Sequence, residues 1–182
     1  MSHKDLVNLR KSINRERLKT RPPLPKNNKE TFEALKQMQA NNETIEVETE
    51  FGAKNLSIHI DNNQKLVMLY SKESLTALCS DGTIQLGDGT FKFCPKFFAQ
   101  VCTLHASSHG ANMPGVYFLL RAKTFITYKL MFKELIKKTH EFGLHLDIKH
   151  FVLDFERAVI KACKFFSLAS NIGFVSFILV SP

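Results

Sequence analysis

Two aspartates follow apolar segments of the chain and could act together. Asp88 stands between two glycines after the segment 84–87, and Asp154 directly follows the apolar run 151–153. Aspartate and glycine are both disfavoured inside strands, so each aspartate marks the end of a predicted strand. Groups at the carboxyl ends of neighbouring strands converge on one crevice in an open α/β sheet. These residue types therefore predict a pair of carboxylates at one edge of a sheet.

Two adjacent carboxylates suit a divalent metal ion. Like charges at short range repel each other unless a cation lies between them, and hard oxygen ligands favour Mg²⁺ or Mn²⁺. Two such ions about 3.5–4 Å apart can activate water and stabilise the leaving oxygen in phosphodiester cleavage. A site in which Asp88 and Asp154 are catalytic residues and metal ligands is therefore one interpretation of this pattern, which the spacing alone does not establish. Turn or helix-cap roles for both aspartates are the alternative.

The hydrophobic pattern predicts the elements that would position these aspartates. Thr124 is a predicted N-cap, and apolar residues at three- and four-residue steps predict a helix up to Phe142, with Gly143 at its C′ position. Other segments predict strands at 65–70, 84–88, 97–105, 116–120 and 149–153, and helices from Ser71 and over 155–166. This order predicts an α/β fold with a mixed sheet. A three-strand antiparallel meander is followed by a helix, a strand that runs parallel, and a second helix.

Positive charge is concentrated at the N-terminus. The chain has 182 residues and a net charge of +8, and residues 1–30 hold nine Lys or Arg against three acidic residues, which accounts for +6 of that charge. Such a segment favours binding to a polyanion, most commonly DNA, although a solvated leader without a ligand is the plain alternative. The DNA-binding residues that we predict here are Arg10, Lys11, Arg15, Arg17, Lys19 and Arg21.

The first part of the chain is predicted to lack a sheet. Short helices are predicted over 5–18 and 31–38, and the proline-rich residues 21–25 between them predict an extended linker. The acidic and polar residues 40–55 predict an irregular connection.

The composition therefore divides the chain into three parts. We predict an N-terminal arm and linker over 1–50, the α/β domain over 51–167, and a divergent apolar tail over 168–182. The tail could supply one more strand over 171–180, or it could be a sequence joined to a truncated gene. A membrane anchor is disfavoured, because the uncharged stretch after Lys164 falls short of the ~20 apolar residues that cross a bilayer.

The cysteines predict a reducing compartment and no zinc site. The four cysteines form no CxxC pair and no secretory signal is visible, so reduced thiols in the nucleus or cytoplasm are expected. Cys94, Cys102, His105 and His109 could be combined into a zinc site, but the spacing of the cysteines is wrong for a finger. Cys102 and His105 are an odd number of positions apart on a predicted strand and would face opposite sides.

Five segments in order resemble the Mutator-like element (MULE) transposase domain. They are DGTFK at 88–92, the strand that reaches His105, the apolar segment 116–120, the K-T-x-x-x-Y helix start at 123–128, and DFE-x-A at 154–158. The likeness covers roughly residues 84–163. The leader 9–28 is similar to the region before this domain in members that carry a FLYWCH-type zinc finger, but no such finger is visible in the chain.

The resemblance implies a DD(E/D) transposase with a ribonuclease H-like sheet. Asp88 would match the first metal-binding acid and Asp154 the second, and the activity would be Mg²⁺- or Mn²⁺-dependent cleavage and transfer of DNA strands in the nucleus. The implied partner is DNA, either transposon ends or any sequence, with homo-oligomers left open and no membrane expected. Glu156 does not match the third acid, and we expect it to act as an ion-pair or cap residue.

The family's third acid lies further downstream, beyond a Cys/His pair and a helical insertion, and the resemblance fades after Cys163. We therefore expect a transposon-derived protein that is inactive alone. The alternative is a non-enzymatic DNA-binding regulator or remnant that acts through the basic arm. A third class is an interaction module that uses the proline-rich linker.

Overall fold

The structure of the chain, a computed structural model, describes residues 12, 25–49, 52–61, 63, 65–80, 83–87, 94–108, 111–148, 150–153, 156–166 and 171–174. Within these ranges the chain forms four helices: α1 (Asn28–Ala40), α2 (Lys72–Ser80), α3 (Phe125–Glu141) and α4 (Arg157–Phe165). It also forms eight strands: β1 (Thr44–Thr49), β2 (Gly52–Ile60), β3 (Leu66–Tyr70), β4 (Thr83–Gly87), β5 (Gln100–Ser108), β6 (Ala111–Leu120), β7 (His150–Leu153) and β8 (Asn171–Phe174).

All eight strands belong to one mixed sheet in the order β1-β2-β3-β6-β5-β4-β7-β8. The five neighbouring pairs β1–β2, β2–β3, β3–β6, β6–β5 and β5–β4 are antiparallel. Strand β7 pairs with β4 in parallel, and β8 pairs with β7 in parallel. The predicted mixed α/β class is therefore confirmed. Strands β4, β5 and β6 form the expected meander, and the strand after the long helix is parallel to the first strand of that meander.

The long helix α3 forms where its capping residues predict it. The Thr124 hydroxyl accepts a hydrogen bond from the Thr127 amide at 3.3 Å, which satisfies one of the free amides of the first turn. At the other end Gly143 has φ +70°, a conformation that glycine adopts without steric cost. The buried residues of α3 recur on one face, so the helix packs that face against the sheet.

Helices cover both faces of the sheet. Helices α2, α3 and α4 pack on one face and enclose the larger core with buried residues of β3, β5, β6 and β7. Helix α1 packs on the other face, where Phe32 is buried against Ile58, Ile60 and Val67. The helix predicted over 31–38 is therefore confirmed, and it is packed against the sheet.

The irregular connection predicted over 40–55 was wrong. Strands β1 and β2 form an antiparallel hairpin there, with Ile45 packed towards α1 and Glu46 exposed. An edge strand has one face in water, so its charged residues are compatible with pairing, and their acidity concealed the alternation of a strand. The sheet thus begins at Thr44, before the boundary that we expected at residue 50.

Two predicted strand boundaries also differ from the structure. Phe97 lies before β5, in a turn where the Phe98 amide donates to the Pro95 carbonyl at 3.2 Å, and its φ of +79° is incompatible with an extended strand. Strand β6 begins at Ala111, earlier than expected. Pro114 is tolerated within it because the β5–β6 register shifts beside this residue, at a bulge.

The ends of the chain are described only in part. Strand β8 lies inside the segment 168–182, so the sheet continues past residue 167, the predicted end of the domain. The predicted helix over 5–18 lies outside the described residues except for Ser12. In the parts of the chain that the structure describes, no helix is long and apolar enough to cross a membrane.

Candidate functional site

The candidate site lies at the edge of the sheet where β4, β6 and β7 end, which we call the carboxyl edge. Strands β4 and β7 are hydrogen-bonded parallel neighbours, and Gln85 pairs with Val152 close to the last residues of both strands, Gly87 and Leu153. The two strand ends therefore lie side by side. Asp88 directly follows Gly87 in the chain, and Asp154 directly follows Leu153.

Asp88 and Asp154 themselves lie outside the described residues. The same holds for the predicted DNA-binding residues, which are Arg10, Lys11, Arg15, Arg17, Lys19 and Arg21. What the structure does describe is the framework on which the two aspartates are carried.

A polar network connects this framework beneath the carboxyl edge. The hydroxyl of Tyr128, on the first turn of α3, lies 2.7 Å from Glu156 Oε2 and 2.9 Å from Gln100 Oε1. Gln100 is the first residue of β5, and its Nε2 lies 3.1 Å from the Cys102 sulfur. Tyr128, Gln100 and Cys102 are all buried, whereas Glu156 is half-buried. The network therefore joins α3, β5 and the residue that directly precedes α4.

The hydrogens of this network can be assigned so that each of its three contacts has one donor and one acceptor. The Tyr128 hydroxyl has a single proton, and the Glu156 carboxylate is the closer and the stronger acceptor. With the Gln100 amide turned by half a rotation about its last bond, its NH₂ would donate to Tyr128 and its oxygen would accept from the Cys102 thiol. The Tyr128 hydroxyl, the Cys102 thiol and one of the two amide hydrogens of Gln100 would then each have an acceptor, in keeping with the pairing of buried polar groups.

The environment keeps the Cys102 thiol and the Tyr128 hydroxyl uncharged. Burial, and to a smaller extent the nearby Glu156 carboxylate, raises the pKa of the Cys102 thiol to about 12. Burial, followed by the neighbouring Cys102 and Glu156, also raises the pKa of the Tyr128 hydroxyl far above its usual range. Both groups therefore stay protonated at neutral pH and act as hydrogen-bond donors, not as nucleophiles.

Glu156 has a different role from the one we expected. It occupies the N-cap position of α4, but its side chain makes no capping hydrogen bond and instead accepts from Tyr128. Because Glu156 is two residues after Asp154, this bond ties the segment that carries Asp154 to α3. The sequence carried a signal for this partner, since a tyrosine on the buried face of a helix needs an acceptor for its hydroxyl.

We predict that Tyr128→Phe lowers the free energy of unfolding by about 1.5–3 kcal/mol, because it removes a partly buried hydrogen bond to a carboxylate. Urea unfolding followed by circular dichroism measures the change. Tyr117→Phe is the matched control, because the hydroxyl of half-buried Tyr117 makes no hydrogen bond to a described residue. Equal effects of the two substitutions would contradict a bond between Tyr128 and Glu156.

Apart from Asp88 and Asp154, which lie outside the described residues, we looked for a metal site among the residues that the structure describes. Across the described ranges, no three His, Cys, Asp or Glu side chains are close enough to hold a metal ion. Cys102 and His105 lie on opposite faces of β5, as predicted, since Cys102 is buried with Leu104 and Ala106 while His105 belongs to the half-buried face. The Cys94 thiol donates to the Phe98 carbonyl at 3.4 Å, and His109 lies outside the described residues.

Comparisons of the chain with protein-family models, with curated proteins and with solved structures found no match. The function must therefore be inferred from the residues of this chain and from the positions of its strands and helices.

Proposed function

We propose that this chain is a transposon-derived protein of the MULE type, whose parent activity is the metal-dependent cleavage and transfer of DNA strands in the nucleus. One observation carries most of the support. Strands β4 and β7 are adjacent and parallel, and their last residues immediately precede Asp88 and Asp154. A pairing of β7 with any other strand would have separated the two aspartates.

The spacing of neighbouring strands fits a shared cation. Adjacent strands lie about 4.8 Å apart, and carboxylate oxygens bind Mg²⁺ at about 2.1 Å, so two side chains from such neighbours can reach one ion. The two aspartates supply the hard oxygen ligands that Mg²⁺ and Mn²⁺ prefer. A bound Mg²⁺ would polarise a phosphodiester and make a bound water more acidic.

The order of the elements supports a ribonuclease H-like sheet. The meander β4–β6 is followed by α3, β7, α4 and β8, and the two later strands are added in parallel on the β4 side of the meander, β7 beside β4 and β8 beside β7. This is the order expected when a three-strand meander is followed by β-α units. Strands β1, β2 and β3 extend the same sheet beyond β6.

Binding of Mn²⁺ tests this function more directly than activity does. The resemblance implies that cleavage needs a third acid, whereas binding of one ion needs only the two aspartates. We expect the full chain to bind Mn²⁺, measured by electron paramagnetic resonance of the free ion. We expect Asp88→Asn and Asp154→Asn each to weaken binding at least tenfold, by about 1.4 kcal/mol or more, because each removes a charged ligand.

Asp147→Asn is the matched control, since Asp147 is an exposed residue of the loop before β7. Equal Mn²⁺ binding by the wild type and both site variants would overturn the metal-dependent function. Nicking of a labelled DNA duplex with Mn²⁺ is the second readout. Any nicking that survives both site substitutions would also contradict the proposal.

The non-enzymatic alternative has one observation in its favour, which is the concentration of positive charge in residues 1–30. A regulator of this kind would bind DNA with a steep salt dependence that Asp88→Asn and Asp154→Asn leave unchanged. Removal of residues 1–24, which leaves α1 and its N-cap in place, would abolish that binding. This combination, together with the absence of Mn²⁺ binding, would favour the alternative.

A further inference from the structure

A small apolar pocket lies at the carboxyl edge, on the face of the sheet that α1 covers. It has a volume of about 270 Å³ and is lined by Pro25, Thr31, Pro95, Lys96, Phe97 and Phe98. Pockets for drug-sized ligands usually have volumes of about 300–1,000 Å³, so this one suits a single flat ring system. Phe98 also packs against the smaller core, and none of the lining residues belongs to the network around Tyr128.

The turn that forms this pocket holds Phe97 in an unusual conformation. Phe97 has φ +79°, which is disfavoured for a residue with a Cβ atom, and its side chain is only half-buried. The next residue fixes the turn, because the Phe98 ring packs 5.8 Å from the Phe32 ring and the Phe98 amide donates to Pro95. A strained residue persists only where its surroundings determine it, and such residues are concentrated at binding sites.

Cations stand beside the aromatic rings of this region. Lys96 Nζ lies 5.1 Å from the centre of the Phe97 ring, and the Arg121 guanidinium lies 5.8 Å from the centre of the Phe32 ring. Both cations are exposed. The nearby Glu30 carboxylate accepts hydrogen bonds from the Lys26 amide and the Asn27 side chain. The Phe32 ring is buried, whereas the Phe97 ring is half-buried, so the Lys96–Phe97 pair offers an accessible aromatic face beside an exposed cation. This is the chemistry of single-stranded nucleic-acid binding, where bases stack on rings and phosphates contact cations.

The position of the pocket links it to the candidate site. The Ala99 amide donates to the carbonyl of Leu120, the last residue of β6, at 2.7 Å, which fixes the turn against the carboxyl edge. Strand β4 ends at the same edge. We propose that this pocket binds an unstacked base of a DNA strand, with the Phe97 ring as the stacking surface and Lys96 as the phosphate contact. The inference rests on the proposed function, because that function brings DNA to the carboxyl edge.

The substitution Phe97→Gly separates binding from folding. Glycine adopts a positive φ without strain, so this change removes the ring while relieving the backbone, and the melting temperature should shift by less than about 4 °C. The affinity for a fluorescein-labelled single-stranded oligonucleotide, measured by anisotropy in EDTA, should fall about 5- to 150-fold. Phe142→Ala is the matched control, since Phe142 is an exposed phenylalanine at the opposite end of α3.

An abasic oligonucleotide of equal length isolates the base contact. Phe97→Gly should weaken its binding by less than about twofold, because it offers no ring to stack. Lys96→Gln should lower the slope of log K against log salt by about one unit for both oligonucleotides. Lys72→Gln, an exposed lysine at the start of α2, should leave the slope unchanged.

The outcomes separate this inference from the proposed function. If the wild type binds neither oligonucleotide, or if Phe97→Gly binds the base-containing one like the wild type, the base-binding inference is overturned. Mn²⁺ binding through Asp88 and Asp154 would stand in either case. A free peptide of residues 21–26 provides another test. If it binds the wild type but not Phe97→Gly, and oligonucleotide affinity is unchanged in that variant, the pocket takes a proline-rich segment and the inference fails.

Discussion

Replacing Asp61 by alanine is expected to lower the free energy of unfolding by about 3–5 kcal/mol. The Asp61 carboxylate closes the β2–β3 turn by accepting hydrogen bonds from the backbone amides of Asn63, Lys65 and Leu66 at 2.9, 2.6 and 2.7 Å. Its side chain is buried, and so is the bond to Leu66. Alanine would remove three bonds to a carboxylate and leave the Leu66 amide without this acceptor, which is the costly part of the change.

Circular dichroism in urea is the suitable measurement, because the chain has no tryptophan to report on unfolding by fluorescence. Asp61→Asn keeps one oxygen for the two shortest bonds and should cost less, about 1–2 kcal/mol. Asp147→Ala, at an exposed loop position, should change stability by no more than about 0.5 kcal/mol. If Asp61→Ala were as mild as Asp147→Ala, the turn would not depend on the carboxylate.

The second large effect is expected for Phe132→Ala, at about 3–5 kcal/mol. Phe132 on α3 is fully buried, and its ring lies 5.8 Å from that of Phe151 on β7 and 6.4 Å from that of Phe166 after α4. Alanine would leave a cavity where the helix contacts the strand that precedes Asp154. The loss therefore affects both the stability of the fold and the position of that strand.

Phe132→Leu is the conservative companion, since it keeps an apolar side chain in the same space, and we expect it to cost about 1–1.5 kcal/mol. Phe142→Ala removes a phenylalanine that is 40% exposed, so it should cost clearly less than Phe132→Ala. The same urea unfolding measures all three variants. A cost of Phe132→Ala below that of Phe142→Ala would contradict the packing of α3 against β7.

Local signals predicted most elements of this fold. Thr124 and Gly143 marked the ends of α3, because capping depends only on near neighbours in the chain. The strands β3 to β7 were predicted from short apolar runs, which are also a local feature of the sequence. The β1–β2 hairpin was missed because its strand Thr44–Thr49 is largely polar. Its pairing partner, not its composition, makes it a strand.

Long-range pairing was harder to predict. No feature of the segment Leu66–Tyr70 shows that β3 pairs with β6 and not with the next strand along the chain. The pairing is determined by burial on both faces of the sheet at once. Strand β3 places Leu66, Met68 and Tyr70 in the larger core and Val67 in the smaller core.

The surroundings of the candidate site show the same limit. The sequence indicated two aspartates at strand ends, but not that Glu156 bonds to Tyr128, which in turn bonds to Gln100, because these residues come from distant segments. The turn at Phe97 was interpreted as part of a strand, because phenylalanine is common in strands and its positive φ is imposed by tertiary contacts.

The contact of α1 with the Pro95–Phe98 turn also sets how far the basic arm can extend. Residues 1–24 are joined to the described part of the chain at Pro25, which lines the pocket beside the carboxyl edge. Even a fully extended segment of this length spans only about 80 Å. If the arm binds a DNA duplex, as the non-enzymatic alternative requires, it would hold that duplex within this distance of the carboxyl edge and so raise its local concentration there.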